Sequence, residues 1–160
     1  SVLRQFRIIY GTMRQHFHAV EANCGLTGTQ TWMLQEVQHH PGIGISELAG
    51  LLGIHQSTCS IMVDKLAVHD FLAKTRDPAD RRRVGLAVSA KGNQTLKHLP
   101  GPAEGVLPEA LKTLAEPDLA GLQQHLDRLI QRLTGAQESY GNLPLAGMFG
   151  TDSTIQKEST

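Results

Sequence analysis

The stretch from Ile45 to Lys91 limits the possible folds more than any other part of the chain. Its first part, ISELAGLLGIHQSTCSIMVDKLAVHDFL, has the pattern of two helices joined by a tight turn. Its second part, AKTRDPADRRRVGLAVSAKG, has the pattern of a basic β-hairpin. In the first helix Ser46 suits the N-cap, and Leu48, Leu51 and Leu52 fall at the i, i+3, i+4 spacing of one buried face. Gly53 suits the left-handed C-cap that lets the chain turn sharply. After the turn Gly53-Ile54-His55, a second helix is expected from about Gln56 to about His69, with Cys59, Met62, Val63 and Leu66 facing inward.

Gln56, Ser57, Thr58, Ser60, Ile61 and Lys65 are then left on or beside the open face of that second helix. Short hydroxyl and amide side chains near an exposed helix N-terminus permit close approach to phosphates and base edges. This is the layout of a helix-turn-helix whose second helix reads DNA, although pairs of helices this long also occur in plain bundles. In the hairpin, Val84, Leu86 and Val88 alternate with smaller residues at the period of a half-buried strand, and Phe71 to Arg76 supplies its partner. Asp77-Pro78-Ala79-Asp80 provides turn chemistry, and Arg81, Arg82 and Arg83 follow at the tip. An isolated arginine run is usually a solvated loop. Directly after a helix-turn-helix, it suits a wing entering the narrow, strongly negative minor groove.

With these residues in place, the chain resembles the MarR family of bacterial winged-helix transcriptional regulators, from about residue 3 to about residue 134. The resemblance rests on Leu26-Thr27 with Gln30, His40-Pro41-Gly42, Ile45-Ser46-Glu47-Leu48-Ala49, and Ser57-Thr58 followed by Val63-Asp64-Lys65-Leu66. It rests above all on Asp77-Pro78-Ala79-Asp80-Arg81-Arg82 and on Ser89-Ala90-Lys91-Gly92. It implies a mainly α fold with a β-hairpin wing, in which Arg82 reads the minor groove and Asp80 orients it. Two positions depart from the family pattern. Ile61 stands where an arginine is common, and His55 where a Ser or Asp N-cap is common. Arginine paired to guanine is the commonest specific base contact, so Ile61 would offer contact with a thymine methyl instead.

The rest of the chain reads as a frame. Leu3, Phe6, Tyr10, Met13, Phe17 and Val20 form a seam at coiled-coil spacing on a helix from Leu3 to about Asn23, roughly 30 Å long. Leu119, Leu122, Leu126, Leu129 and Leu133 repeat that spacing on a helix from Pro117 to Leu133, with Pro117 suited to the first turn. Two such seams fit either an intramolecular bundle or dimerisation through both ends of the chain. A single reading head per chain and two-fold operators favour the dimer, as the resemblance also implies. Pro100-Gly101-Pro102 should break the connecting helix near Leu99 to Ala103. We therefore expect one domain over 1–140, with a DNA-binding lobe at about 26–91, dimerisation helices at about 1–24 and 92–135, and a tail over 141–160. In that tail Leu143, Leu145 and Phe149 should dock on the body.

Composition narrows the function class. The chain has 160 residues, 40% hydrophobic residues and zero formal net charge. Its balance is uneven, however: the helix-turn-helix and wing carry a slight basic surplus, and the residues after position 91 carry an acidic one. No signal-peptide pattern and no apolar run of membrane-spanning length is present, so a soluble cytoplasmic protein without membrane association is expected. Catalysis is not expected, because no phosphate-binding glycine loop, nucleophile elbow or metalloprotease spacing occurs.

The expected partners are double-stranded DNA, a second copy of the chain and a small-molecule effector. By the resemblance, an aromatic or phenolic effector would sit where the helix Thr27 to His40 meets the first helix and the linking helix. Tyr10, His16, Phe17, Trp32 and His39 are the candidates there. The alternative places Tyr10, Phe17 and Trp32 in plain core and both histidines at the surface. Cys59 reads as a core hydrophobe, and Cys24 lacks an activating neighbour. His18, Cys24 and Glu36 lie where a zinc-sensing branch of the family has ligands, but a closed site needs four, so no cofactor or metal is expected. A thiol- or zinc-responsive regulator of the same fold, and a helical interaction module that no longer reads DNA, are the alternatives.

Overall fold

The computed structural model describes residues 1–149. Its centre is the pair of helices read from the sequence. Helix α1 (Val2–Cys24) ends at Gly25 in the left-handed region, and α2 (Gly28–His39) starts from a complete capping box. There the Gln30 N–H donates to Thr27 Oγ1 at 3.2 Å, and the Thr27 N–H donates to Gln30 Oε1 at 3.1 Å. Met33, Leu34 and Val37 on α2 are fully buried. They pack with Leu48, Ala49 and Leu52 of α3 (Ile45–Leu52) and with Cys59, Val63 and Leu66 of α4 (Gln56–Val68). Gly53, at φ 67°, closes α3 as expected.

Two expectations for α3 are corrected. The helix starts at Ile45 with Gly44 as its N-cap, so Ser46 lies inside the first turn and caps nothing. The cause is tertiary: the Gly42 N–H donates to Leu86 O at 2.8 Å, and the Leu86 N–H donates to Ile43 O at 2.9 Å. This pins Ile43 as an extra rung on the hairpin edge, and Gly44 becomes the last residue before the helix. Leu51 is 49% exposed. The buried arc is centred on Leu48, Ala49 and Leu52, and at 3.6 residues per turn Leu51 lies about 100° away from it.

The hairpin is antiparallel, β1 (Leu72–Arg76) against β2 (Val84–Val88), with Leu72 opposite Val88, Lys74 opposite Leu86 and Arg76 opposite Val84. Leu72 and Leu86 are buried in the same core as α2 to α4, while Val84 and Val88 are half-buried. The base of the hairpin is tied to the end of α4 and the start of α5 (Ala90–Leu96). Ser89 Oγ accepts the Gly92 N–H at 3.0 Å and donates to Phe71 O at 3.1 Å. A Cβ on Gly92 would stand 2.3 Å from Phe71 O and 2.6 Å from Val88 Cγ1, so only glycine fits this crossing.

Beyond α5 the helix breaks, as the prolines require. It resumes as α6 (Val106–Lys112), followed by α7 (Glu116–Ile130), which has Pro117 in its first turn. Neither α6 nor α7 has a fully buried residue. The seam of α1 is divided: Met13, Phe17 and Val20 are buried, whereas Leu3, Phe6 and Tyr10 are exposed. Two short 3-10 turns, Glu138–Asn142 and Leu145–Met148, end the described chain. The remainder of the tail, residues 150–160, lies outside the described residues. Among the described residues no helix is long and apolar enough to cross a membrane.

Candidate nucleic-acid interface

The starts of α3 and α4 and the hairpin border one groove, which Glu47 and Asp77 also line. Its lining includes Gly44 and Ser46 at the start of α3, Gln56 at the start of α4, and Arg76, Arg82 and Arg83 of the hairpin. The α3 and α4 caps, Gly44 and His55, make no side-chain capping bond. Their first-turn N–H groups therefore have no partner within the helix and present the positive end of the helix dipole. A groove with two such helix starts on one side and arginines on the other is suited to a polyanionic backbone.

On α4 the expected recognition residues divide by exposure. Gln56, Ser57, Ile61 and Lys65 are exposed, while Thr58 and Ser60 are half-buried beside the core stripe. Ile61 is 58% exposed, a large apolar side chain on an otherwise polar face. Burial explains this division: Cys59, Val63 and Leu66 fix the inward arc, and the other positions follow from helical geometry.

The wing loop, residues 77–83, is shaped by its aspartates. Asp77 Oδ1 accepts the Ala79 N–H at 2.8 Å, and the Asp77 N–H donates to Arg83 O at 3.3 Å. Asp80 Oδ1 accepts the Arg82 N–H at 3.0 Å, and Asp80 O accepts the Arg83 N–H at 2.9 Å. Asp80 thus holds Arg82 through the backbone. Among the described residues, no ion pair engages Arg81, Arg82 or Arg83, and all three are exposed. Not every nearby cation is free in this way. Lys74 is paired with Asp64, and Lys91 Nζ donates to His69 O at 2.8 Å while lying 4.3 Å from the centre of the Phe71 ring. The positive charge facing the groove is therefore mostly arginine. Arg76 reads in the sequence only as the end of a strand; its place at the last position of β1, opposite Val84, brings it to the groove.

The candidate effector residues occupy different settings. Tyr10, His16 and Phe17 form part of one aromatic cluster on α1. The His16 and Phe17 rings meet edge to face at 5.2 Å, and His16 Nε2 lies 2.9 Å from Pro102 O in the helix break. Phe17 is 3% exposed and is wedged where α1, α2 and the start of α6 converge, against Gly28 and Gly105. Trp32 instead packs on the core of the head and donates to Glu36 Oε1 at 3.1 Å, and His39 is exposed at the end of α2. Sequence reasoning did not foresee that the tail reaches the same cluster. Ala146 is buried, and Phe149 lies 5.1 Å from Tyr10 and 5.8 Å from Phe17, centre to centre. The only signal in the sequence was the apolar run from Leu143 to Phe149. Of the three residues expected to dock, Phe149 and Leu145 are half-buried and Leu143 is exposed.

Burial acts on both thiols. It raises the pKa of Cys24 and pushes that of Cys59 up to about 11, which keeps the reactive thiolate scarce at neutral pH. Among the described residues, no three His, Cys, Asp or Glu side chains gather as a metal site requires, and His18 is exposed apart from any such group.

Comparison with known proteins agrees with this geometry. The MarR family model matches residues 26–84. The HTH-type transcriptional repressor MdtR of Bacillus subtilis is 23% identical over 95 residues, which cover 59% of this chain and 61% of that protein. A mutant of S. aureus MepR, solved bound to an oligodeoxyribonucleotide, superposes with a TM-score of 0.56 at 18% identity, covering 84% of this chain and 99% of the other. The PcaV transcriptional regulator of Streptomyces coelicolor, solved with its natural ligand, superposes with a TM-score of 0.52 at 21% identity, covering 78% of this chain and 90% of the other. The fold is the winged helix of these regulators, and residues 26–84 match the MarR family model.

Proposed function

We propose that the chain is a sequence-specific DNA-binding transcriptional repressor and not an enzyme. It acts as a homodimer on a pseudo-palindromic operator and is released by a small, planar aromatic or phenolic effector. The observation that carries this reading is the wing. Among the described residues no ion pair engages the three exposed arginines, and Asp80 holds the backbone of Arg82 across a groove from the starts of α3 and α4. Such charge suits an external anion, because no acidic side chain among the described residues neutralises it.

In this reading Gln56, Ser57, Thr58, Ser60, Ile61 and Lys65 lie in the major groove. Asp80, Arg81, Arg82 and Arg83 serve the minor groove, and Arg76 faces the phosphates between. The exposed seams on α1 and α7 support a homodimer, since Leu3, Phe6, Leu119, Leu122 and Leu129 keep apolar surface exposed among the described residues. The relatives named as a repressor, as DNA-bound and as ligand-bound support the repressor, DNA and effector parts of the proposal. Thiol oxidation is the weaker trigger, because burial raises the pKa of both cysteines.

Selection of bound duplexes from a random DNA pool, at two salt concentrations, tests the proposal. Enrichment of a pseudo-palindrome with half-sites about one helical turn apart, bound less tightly as salt rises, is the expected result. A folded, dimeric protein that enriches no sequence would overturn it and favour a helical interaction module.

A further inference from the structure

The segment Pro144–Phe149 rests on α1 and α2 without a single hydrogen bond to either among the described residues; its one backbone bond is internal, from the Gly147 N–H to Pro144 O. Its seat is nonetheless closely shaped. Tyr10 and Phe17 stand two turns apart on one face of α1, and the Phe149 ring lies against both. Ala146 sits over Gly28, where a Cβ would come within 3.0 Å of its methyl group, and Gly147 lies beside Thr29. The walls are held from behind, Phe17 by Gly28 and Gly105 and its neighbour His16 at Pro102 O. The seat is thus a slot in which the Phe149 ring lies against Tyr10 and Phe17 while Ala146 and Gly147 rest beside Gly28 and Thr29. Its present occupant is held by apolar contact alone. Two residues upstream of the segment, Asn142 O lies 3.9 Å from where a Cβ of Gly53 would stand, beside the turn between α3 and α4.

We propose that Pro144–Phe149 is a tethered occupant of an aromatic-ring slot formed by Tyr10, Phe17, Gly28 and Thr29, and that a planar aromatic ligand enters by displacing Phe149. This deepens the effector reading above and rests on it for its regulatory meaning. The displacement itself is a separate matter, decided by binding alone. A tethered occupant lowers the apparent affinity of a free ligand by the fraction of time the slot is open.

The test uses 1-anilinonaphthalene-8-sulfonate fluorescence on three chains: the full chain, a chain ending at Leu143, and Phe149→Ala. Both altered chains should bind the probe about tenfold more tightly, as expected for a slot closed roughly nine-tenths of the time. A peptide spanning Leu143 to Gly150, added in excess, should compete with the probe in the shortened chain. The gain should vanish when Tyr10→Ala is added, which separates the slot from the exposed seams of α1 and α7. Equal affinities in all three folded chains, or a gain that survives Tyr10→Ala, would overturn the proposal. Failure of aromatic compounds to release DNA from either the full or the shortened chain would instead count against the effector reading and leave the slot result standing.

Discussion

Substitution of Asp80 tests whether the wing is organised as described, because its carboxylate acts on Arg82 only through the backbone. Asp80→Ala removes the acceptor of the Arg82 N–H, a 3.0 Å bond in an exposed loop. Such a bond contributes about 1 kcal/mol net, or roughly fivefold in affinity if DNA binding needs the loop ordered. Arg82→Ala removes the reading group itself, which should cost about 2 kcal/mol, or roughly thirtyfold. Neither residue is in the core, so thermal stability should hardly move. Asp80→Asn keeps an acceptor oxygen at the same reach while removing a negative charge near the phosphates, so it should bind at least as well as wild type.

The decisive comparison is the double variant. If Asp80 serves Arg82, Asp80→Ala should cost almost nothing once Arg82 is alanine. Fluorescence anisotropy with the selected operator measures all four affinities. A full fivefold loss from Asp80→Ala in the Arg82→Ala background would refute the positioning role, and an unchanged affinity for Arg82→Ala alone would refute the wing.

Other consequences concern the frame. Gly92→Ala should destabilise the fold by about 3 kcal/mol in urea unfolding, because neither Phe71 O nor Val88 can easily withdraw from the added methyl; an unchanged midpoint would show that the crossing is looser than described. Leu122→Glu with Leu129→Glu should leave the far-ultraviolet circular dichroism spectrum intact and halve the mass found by sedimentation, since both side chains are exposed in the protomer; an unaltered mass would move the dimer interface elsewhere. The folded pKa of Cys59 lies above its ordinary value of 9.0, so its contribution to stability is complete below that pH and is lost as pH rises toward about 11. The stability advantage of wild type over Cys59→Ala should therefore shrink by about 2 kcal/mol across that interval, and a constant gap in urea titrations would show that the thiol is not desolvated.

Much of the head was legible because its signals are local. The capping box at Thr27 and Gln30, the left-handed turn at Gly53, the inward stripe of α4 and the strand alternation around Leu86 each depend on residues a few positions apart. The Pro100-Gly101-Pro102 break is equally local, since a proline acts on its own turn. The arginine tip and its two aspartates were visible for the same reason, down to the residues that shape the loop.

Where the sequence misled, the determinant was a partner distant along the chain. Ser46 is a good cap by type, but the rung between Ile43 and Leu86 moved the helix start to Ile45. Leu51 matched the helical spacing, but the position of the core against α2 and the hairpin turned Ala49 inward instead. Lys74 and Lys91 belong to the basic surplus of the head, but the fold pairs one with Asp64 and sets the other on the end of α4.

The sequence by itself determined the helices, the hairpin and the basic tip, because propensity, capping and periodicity act over one or two turns. The pairing of the cations, the exposure of the seams and the filling of the aromatic slot on α1, among the described residues, depend instead on atoms brought together from segments tens of residues apart. Phe149 shows this most directly: in the sequence it ends an apolar run, and in the fold it closes the slot between Tyr10 and Phe17.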